Sequence, residues 1–565
     1  MTNATKPEKD FSVVYKRWTA GEEYDKTIAL HETVNENERM YAGDQWRGVQ
    51  ANGLPTPVFN IIKRMTDFFI ASIMSQPVKI TYVPELIGDE GEDVNEKEAL
   101  ELVKLVNGHT SNIWEKCKLD MLTREALYDA AIAGDGYIYA YFDADYETGQ
   151  EIKGRIKAEL IDSVNVVFGN ANNRNKEEQP YIIIRMRKLL KDVRDEAVKY
   201  GGIKEGQEML IRGDSDTEGT AGDRGQIENQ SDDSKKVNVY LMLERDKETG
   251  RIFATKAIKN MTIRPKWDTT LTKYPIARTS WGKRKNSYRG TAFITGLSPN
   301  QRYINKLFAM VMLHTMRIAF PKVVYDRNRI AAWSNKVGAA IGVRGDINNA
   351  AKILNGAEMS QSVMNTIEYA INYTKEMCGA SDAALGDVKP ENTSAIVMVT
   401  KQAAIPLETV KEYLYQMVED LGEIFIDMMG SHYGKRTIVI DGQDGRVKNV
   451  ADFGQLKGLQ LMTRVEVGPS TYYSEVAANQ TLDNLLNLEK ITFLQYLERV
   501  TNGLIPEKDK LIEQLKQGDY DEIILMESMA RYYETLPPEA KEQLSKLPEE
   551  EMETEIKRLM VQNMK

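Results

Sequence analysis

The sequence predicts a multi-domain α+β protein, and three features predict it. At 565 residues the chain is long enough for three or more domains. Between Tyr137 and Ile258, short runs of β-branched and aromatic residues alternate with turn signals, the pattern of antiparallel strands. From Gly296 to Gly434 the apolar spacing switches to three and four, over three long segments that read as helices.

Composition sets the outer limits. The chain is 42% hydrophobic and 28% charged, ordinary for a globular protein. No run approaches the ~18 apolar residues of a membrane span, and the first ten residues carry no signal-peptide pattern. Cys117 and Cys378 both fall within helical patterns and read as buried thiols of a reducing compartment, not a disulfide.

In chain order, the first forty residues are charged and weakly periodic, a helix or arm. Asn60 caps a helix carrying Ile61, Ile62, Met65, Phe68, Phe69 and Ile73, and Val78 to Pro84 reads as a strand. Glu96 to Ala133 gives one or two helices with a break expected near Gly108. Strands follow at Tyr137–Phe142, Ile152–Phe168, Tyr181–Arg187, Val237–Glu244 and Ile252–Ile258. Asp145 to Gly149 and Asp246 to Gly250 read as hairpin turns. Residues 213–235, with Ile227 as their only large apolar side chain, bury too little surface to offset their ordering entropy and are expected to form a mobile insertion.

The central stretch holds two connections of different character. Ser298-Pro299-Asn300-Gln301 is a helix-start signal: a cap, a first-turn proline and a glutamine three residues on. Ile304, Leu307, Phe308, Val311, Thr315 and Ile318 then form one stripe, with Arg302, Lys306 and Arg317 on the other side, within about 60° of one another. Pro321 stops this helix, and an irregular segment runs to about Glu358. A second helix carries Val363, Ile367, Ala370, Ile371, Thr374 and Cys378 on one face and ends at Gly379. A small-residue loop, 379–391, leads to a third helix from Ser394 to His432, about 57 Å long. Pro406 is expected to kink it. Its seam of Leu407, Val410, Leu414, Met417, Leu421, Ile424 and Met428 asks for a helical neighbour. These rods are expected to leave apolar sides that one copy cannot bury. Thr437–Asp441 and Arg464–Val467 read as short strands, and the chain is helical again from Ser474.

Charge is uneven. The formal net charge is −10, yet between Thr269 and Gly345 one acid, Asp326, stands against fourteen bases. Such a zone suggests nucleic acid, an acidic protein or an acidic part of a neighbouring copy, or else a solvated face. Trp281 and Tyr288 interleave with Lys283, Arg284, Lys285 and Arg289, a composition that suits a protein interface better than nucleic acid on so acidic a chain.

No catalytic or metal centre is legible. Gly282-Lys283 and Gly434-Lys435 are both followed by arginine, where a phosphate loop needs Ser or Thr. Gly134-Asp-Gly136 lacks the third glycine of a dinucleotide site and precedes a strand. His31, His109, His314 and His432 are scattered, without ligand spacing. No cofactor is expected, and nothing reads as an enzyme.

The order of these segments resembles the portal proteins of tailed bacteriophages, of the short-tailed-phage type. Gln45-Trp46 with Pro57-Val-Phe-Asn60-Ile-Ile and Ser75-Gln-Pro77 are similar to that family's N-terminal segment. Gly134 to Phe142 and Ile161 to Phe168 are similar to its wing strands. Pro275-Ile-Ala, Gly290 to Leu297 and Gln301-Arg-Tyr-Ile-Asn305 are similar to the approach to its stem. The resemblance implies a wing over residues 1–296 with return strands at 434–473, stem helices at 297–320 and 359–378, and a clip at 321–358. It further implies a tunnel loop at 379–393, a long kinked helix at 394–433, a helical crown at 474–535 and a short helical tail at 536–565.

By that resemblance the chain is a homo-oligomeric ring, a dodecamer in virions, at one capsid vertex. Double-stranded DNA passes through it without sequence preference during packaging and ejection. The terminase large subunit and then the head-to-tail adaptor dock on it, beside contacts with major capsid and scaffolding proteins. No membrane is involved, and assembly takes place in the host cytoplasm. The tunnel loop brings Ser381, Asp382, Leu385, Asp387, Lys389 and Glu391 near DNA, and the clip offers Arg327, Arg329, Lys336 and Arg344 to partners. The alternative is another structural phage protein, an adaptor or capsid component without a channel.

Overall fold

The computed structural model describes residues 10–75, 78–84, 96–149, 153–213, 235–319, 322–354 apart from 335, 337 and 338, 359–379, 405–442, 445–459, 461–467, 482–488 and 490–500, with a few isolated positions beyond. The expected insertion at 213–235 save its two end residues, the loop at 380–391, the start of the third helix and nearly all of the expected crown and tail therefore lie outside the described residues. The chain divides into two compact units, 1–468 and 469–565.

Two helices, α1 (Asp10–Thr27) and α2 (Leu30–Ala42), open the first unit. Asn60 caps α3 (Ile61–Ile73) as the sequence signals, accepting from the Lys63 amide at 3.0 Å. Next come β1 (Val78–Pro84), α4 (Glu96–Lys116) and α5 (Leu119–Ala133). The expected break near Gly108 is corrected: α4 runs through it, and the chain turns instead at Lys118, whose φ is 52°. A lone glycine inside a helix costs only about 1 kcal/mol, which burial of Val103, Val106 and Ile113 offsets.

The strands form one three-stranded and one five-stranded antiparallel sheet. The smaller has the order β3 (Arg155–Ile161), β2 (Asp135–Asp143), β9 (Ile276–Ser280). The larger runs β4 (Val166–Phe168), β5 (Tyr181–Leu189), β6 (Lys236–Arg245), β7 (Ile252–Ile258), β8 (Met261–Asp268), with α6 (Leu190–Lys199) after β5. β8 and β9 were not expected: β8 does alternate from Met261 to Trp267, with Pro265 suited to the edge position it takes, while β9 has five residues only. Period-two alternation explains the apolar run in β5. Ile182 and Ile184 join Leu241, Leu243 and Phe168 on one face, while Ile183 joins Tyr240, Met242 and α1's Val14 and Trp18 on the other. The turn at Asp246–Gly250 closes as expected, with Gly250 at φ 69°.

After the two-residue pair β10 (Gly282–Lys283) and β11 (Gly290–Thr291) comes α7 (Phe293–Ala319). This corrects the expected start at Ser298: the helix begins five residues earlier, and Pro299 lies inside it. Ser298 sends its hydroxyl back to the Ile294 carbonyl at 3.2 Å instead of capping. The segment expected to be irregular contains a hairpin, β12 (Lys322–Tyr325) with β13 (Ala351–Leu354). Four-residue strands are too short for alternation to announce them. Then follow α8 (Gln361–Met377) and, after a single turn at Ile405–Leu407, α9 (Glu408–His432).

The largest core lies around α9. Every residue of its predicted seam is buried, chiefly against β9, β2, the turn at Phe453–Gly458 and β16 (Leu461–Val467), within a core that residues of α3, α4 and α5 share. A three-four stripe is equally at home on a sheet, so the expectation of a helical neighbour as the main cover, and of an unburied seam on the described part of this rod, is corrected. Gly422 permits the approach: a Cβ there would fall 2.6 Å from Thr463 and 3.0 Å from Ile80. Those two residues belong to β16 and β1, which pair antiparallel from Val78↔Val467 to Pro84↔Leu461. β14 (Lys435–Gly442) and β15 (Gly445–Asp452) complete the unit. In the second unit, a short helix at Phe493–Arg499 carries a capping box between Thr492 and Gln495. Among the described residues no helix is long and apolar enough to cross a membrane.

Candidate channel and docking elements

The helical hairpin of α7 and α8 is rooted by a polar clamp. Gln301 and Asn305, one turn apart, are both buried. The Gln301 Oε1 accepts from the Ile61 and Ile62 amides at 2.9 and 3.3 Å, and its Nε2 donates to the Phe59 carbonyl at 2.6 Å. Asn305 donates to Gln45 Oε1 at 2.6 Å, and Gln45 donates to the Met40 carbonyl. Phe59 packs on Phe308 with ring centroids 4.1 Å apart. Gln301 thus supplies an acceptor to the Ile62 amide, and a second one, beside the Phe59 carbonyl at 2.8 Å, to the Ile61 amide, so helix start and hairpin root share one group. The Gln45, Asn60 and Gln301–Asn305 pieces, matched in sequence only by order, meet at this point.

Away from the clamp, α7 leaves the body. Of the predicted stripe, Thr315 and Ile318 are exposed and Val311 is half-buried, and beside it Met310, Met312 and Met316 are 41–47% exposed. In α8 only Ile367 and Thr374 are buried, both on the predicted apolar face, while Tyr369, Tyr373 and Met377 stand 59–75% exposed. Asn300 Nδ2 lies 4.0 Å from Met377 Sδ, which sets the two antiparallel helices in register. The β12–β13 hairpin closes the far end. There Tyr325 stacks on Trp333 at 5.7 Å and Ile330 is buried. Arg327, Lys336 and Arg344 are exposed, and Arg329 is half-buried with Asp326 3.4 Å away.

The basic zone divides. Lys283 and Lys285 are exposed and Arg284 half-exposed, but Arg289 is no surface residue. It is buried with Asp25, at 2.5 and 3.0 Å, and donates to the Ser163 and Val166 carbonyls. Tyr288 beside it is buried and stacks on Phe168 at 4.7 Å. Arg278 is held by Asp135, which also accepts from the Ser280 hydroxyl and the Gly290 amide. Lys273 meets Glu423 and Arg302 meets Glu36. The expected interface patch around Trp281 and Tyr288 is corrected accordingly: acids far away in sequence fold onto part of it. Lys306 and Arg317 remain exposed. The buried Asp135 network, which accounts for Gly134-Asp-Gly136, was not legible, because each of its partners is harmless taken alone.

Pro406 lies in the Ile405–Leu407 turn that feeds α9, and the part of the kink expectation that needs 394–404 falls outside the described residues. Ser381, Asp382, Leu385, Asp387, Lys389 and Glu391 do so as well. The cysteines are free thiols. Burial pushes the Cys378 thiol up to about 11, far from a reactive thiolate.

No curated protein matches the chain. A family model described as phage P22-like portal protein matches residues 19–565. With that match spanning nearly the whole sequence, the chain belongs to the P22-like portal protein family of phages.

Proposed function

We propose that the chain is the subunit of a homo-oligomeric ring at one capsid vertex of a tailed phage, enclosing a channel for double-stranded DNA. The family is one of structural, non-enzymatic proteins, and motor work falls to a partner ATPase. The observation that carries the reading is the α7–α8 hairpin, clamped at its root and bearing exposed methionine and tyrosine side chains along its shaft. Apolar surface of that kind on a helical hairpin asks for further protein to cover it.

In this reading α7 and α8 form the stem, and the β12–β13 hairpin forms a clip on which terminase and later the adaptor dock through Arg327, Lys336 and Arg344. The residues around Ser381 to Glu391 approach the DNA. One base, Lys389, stands there against the acids Asp382, Asp387 and Glu391, which suits a conduit: many phosphate contacts would hold DNA too tightly to slide. Negative-stain imaging of the purified chain is the test. Rings with a central hole are expected, and a monodisperse monomer across the micromolar range overturns the proposal.

A further inference from the structure

We infer that neighbouring copies meet through one particular pair of faces: the side of α7 bearing Lys306, Met312 and Met316, against the side of α8 bearing Glu368, Tyr369 and Tyr373. The inference rests on the ring reading and adds to it which surfaces touch. Three observations carry it.

The first is direction. Asn300 faces Met377 inside the hairpin. At about 100° per residue, Lys306, Met312 and Met316 point about 120° or more away from Asn300. On α8, Ile367 and Thr374 are the buried positions, and Glu368, Tyr369 and Tyr373 point about 110° or more away from their midline. These are the outward sides of the two helices. The second is exposure: Met312 and Met316 are 41% and 45% exposed, Tyr369 and Tyr373 59% and 63%. Thioether and tyrosine ring are complementary in packing.

The third is charge and height. α7 contains no acidic residue, and neither Lys306 nor Arg317 makes an ion pair among the described residues. Nor do Glu368 and Glu376 on α8. Rotation about a ring axis preserves height, so the register within one hairpin carries over to its neighbour. With Asn300 level with Met377, Lys306 stands about 4.5 Å, one turn or less, from the level of Glu368. Tyr369 is level with Phe308, one turn from Met312, and this ring and thioether are the pair that meet; Met316 and Tyr373, about 18 Å apart in height, border the contact. Two different faces of one chain that complement each other give a head-to-tail contact, the kind that closes into rings. A second copy therefore fits better than a foreign helix, which has no reason to match both faces.

The test uses the full-length chain with K306E, E368K and the K306E/E368K swap, followed by sedimentation velocity over a concentration series, with circular dichroism to check folding. Each single reversal is expected to raise the concentration at which rings form by about tenfold or more, because like charges then face one another at every interface. The swap, which restores opposite charges between copies, is expected to return it close to wild type. Wild-type rings that K306E leaves intact, or a swap that fails to recover, overturn this contact and leave the ring itself standing. Intact K306E rings with altered DNA passage would instead turn Lys306 toward the channel. Wild type that forms no ring removes both.

Discussion

Asp25 and Arg289 face each other with side chains only 1% exposed, and the guanidinium spends its remaining donors on the Ser163 and Val166 carbonyls. Replacing Arg289 with Ala strands a buried carboxylate, so R289A is expected to lose about 3–5 kcal/mol in chemical denaturation, whereas K285A, on an exposed side chain, should lose almost nothing. The contrast also shows what sequence could not tell. Within residues 269–345 Arg289 has almost no acid near it, and its true partner lies 264 residues away. Charge counting along the chain sees neighbours, not folds. His109 makes a second case. Burial first, then Lys116 and Arg436, pull its pKa down to about 4, with the ring packed against Tyr433 and Phe453. A base depressed in the folded state stays neutral there while the unfolded chain takes up a proton below about 6.5, so stability falls as pH drops from about 6.5 towards 4. By pH 5 the loss is about 2 kcal/mol, and H109F should flatten that limb of a pH–stability curve.

Among the elements, the α7 root is where sequence was most informative and least explained. Gln301 and Asn305 were matched by position in an order of segments, while the reason for them is that the first turn of α3 lacks helical acceptors for its amides. Q301A leaves the Ile62 amide without its acceptor, while Ile61 keeps the Phe59 carbonyl. It is expected to cost about 1–3 kcal/mol and to speed hydrogen exchange most at Ile62. Exchange unchanged at Ile62 would show the clamp to be incidental. The longer helices announced themselves well, because 13 residues in α3 and 27 in α7 repeat one message, whereas the 10 residues of α6 went unread. Short strands such as β12 and β13 did not, since four residues cannot establish a period. The α9 seam was read correctly as to which side is buried and not as to the strands that supply most of its cover, because a stripe reports its own burial and not its neighbour's identity.

At the scale of the whole molecule, family and overall class were legible while the long-range pairings were not. β1 and β16 each looked like a strand, and nothing local said that they belong together. The assignment of 379–393 as the loop nearest DNA has a direct check. Deleting part of that loop should leave ring formation intact and reduce packaged or retained DNA, and normal packaging by the shortened chain would remove the assignment. The β1–β16 pairing bears on how each copy is made. Its second strand leaves the ribosome roughly 380 residues after the first. At about 5–20 residues per second that is a wait of about 20–80 s, during which Ile80 and Tyr82 have no partner strand. A nascent chain therefore cannot finish its own largest core until synthesis is four-fifths done, and protection by host chaperones over that interval should limit the yield of every ring.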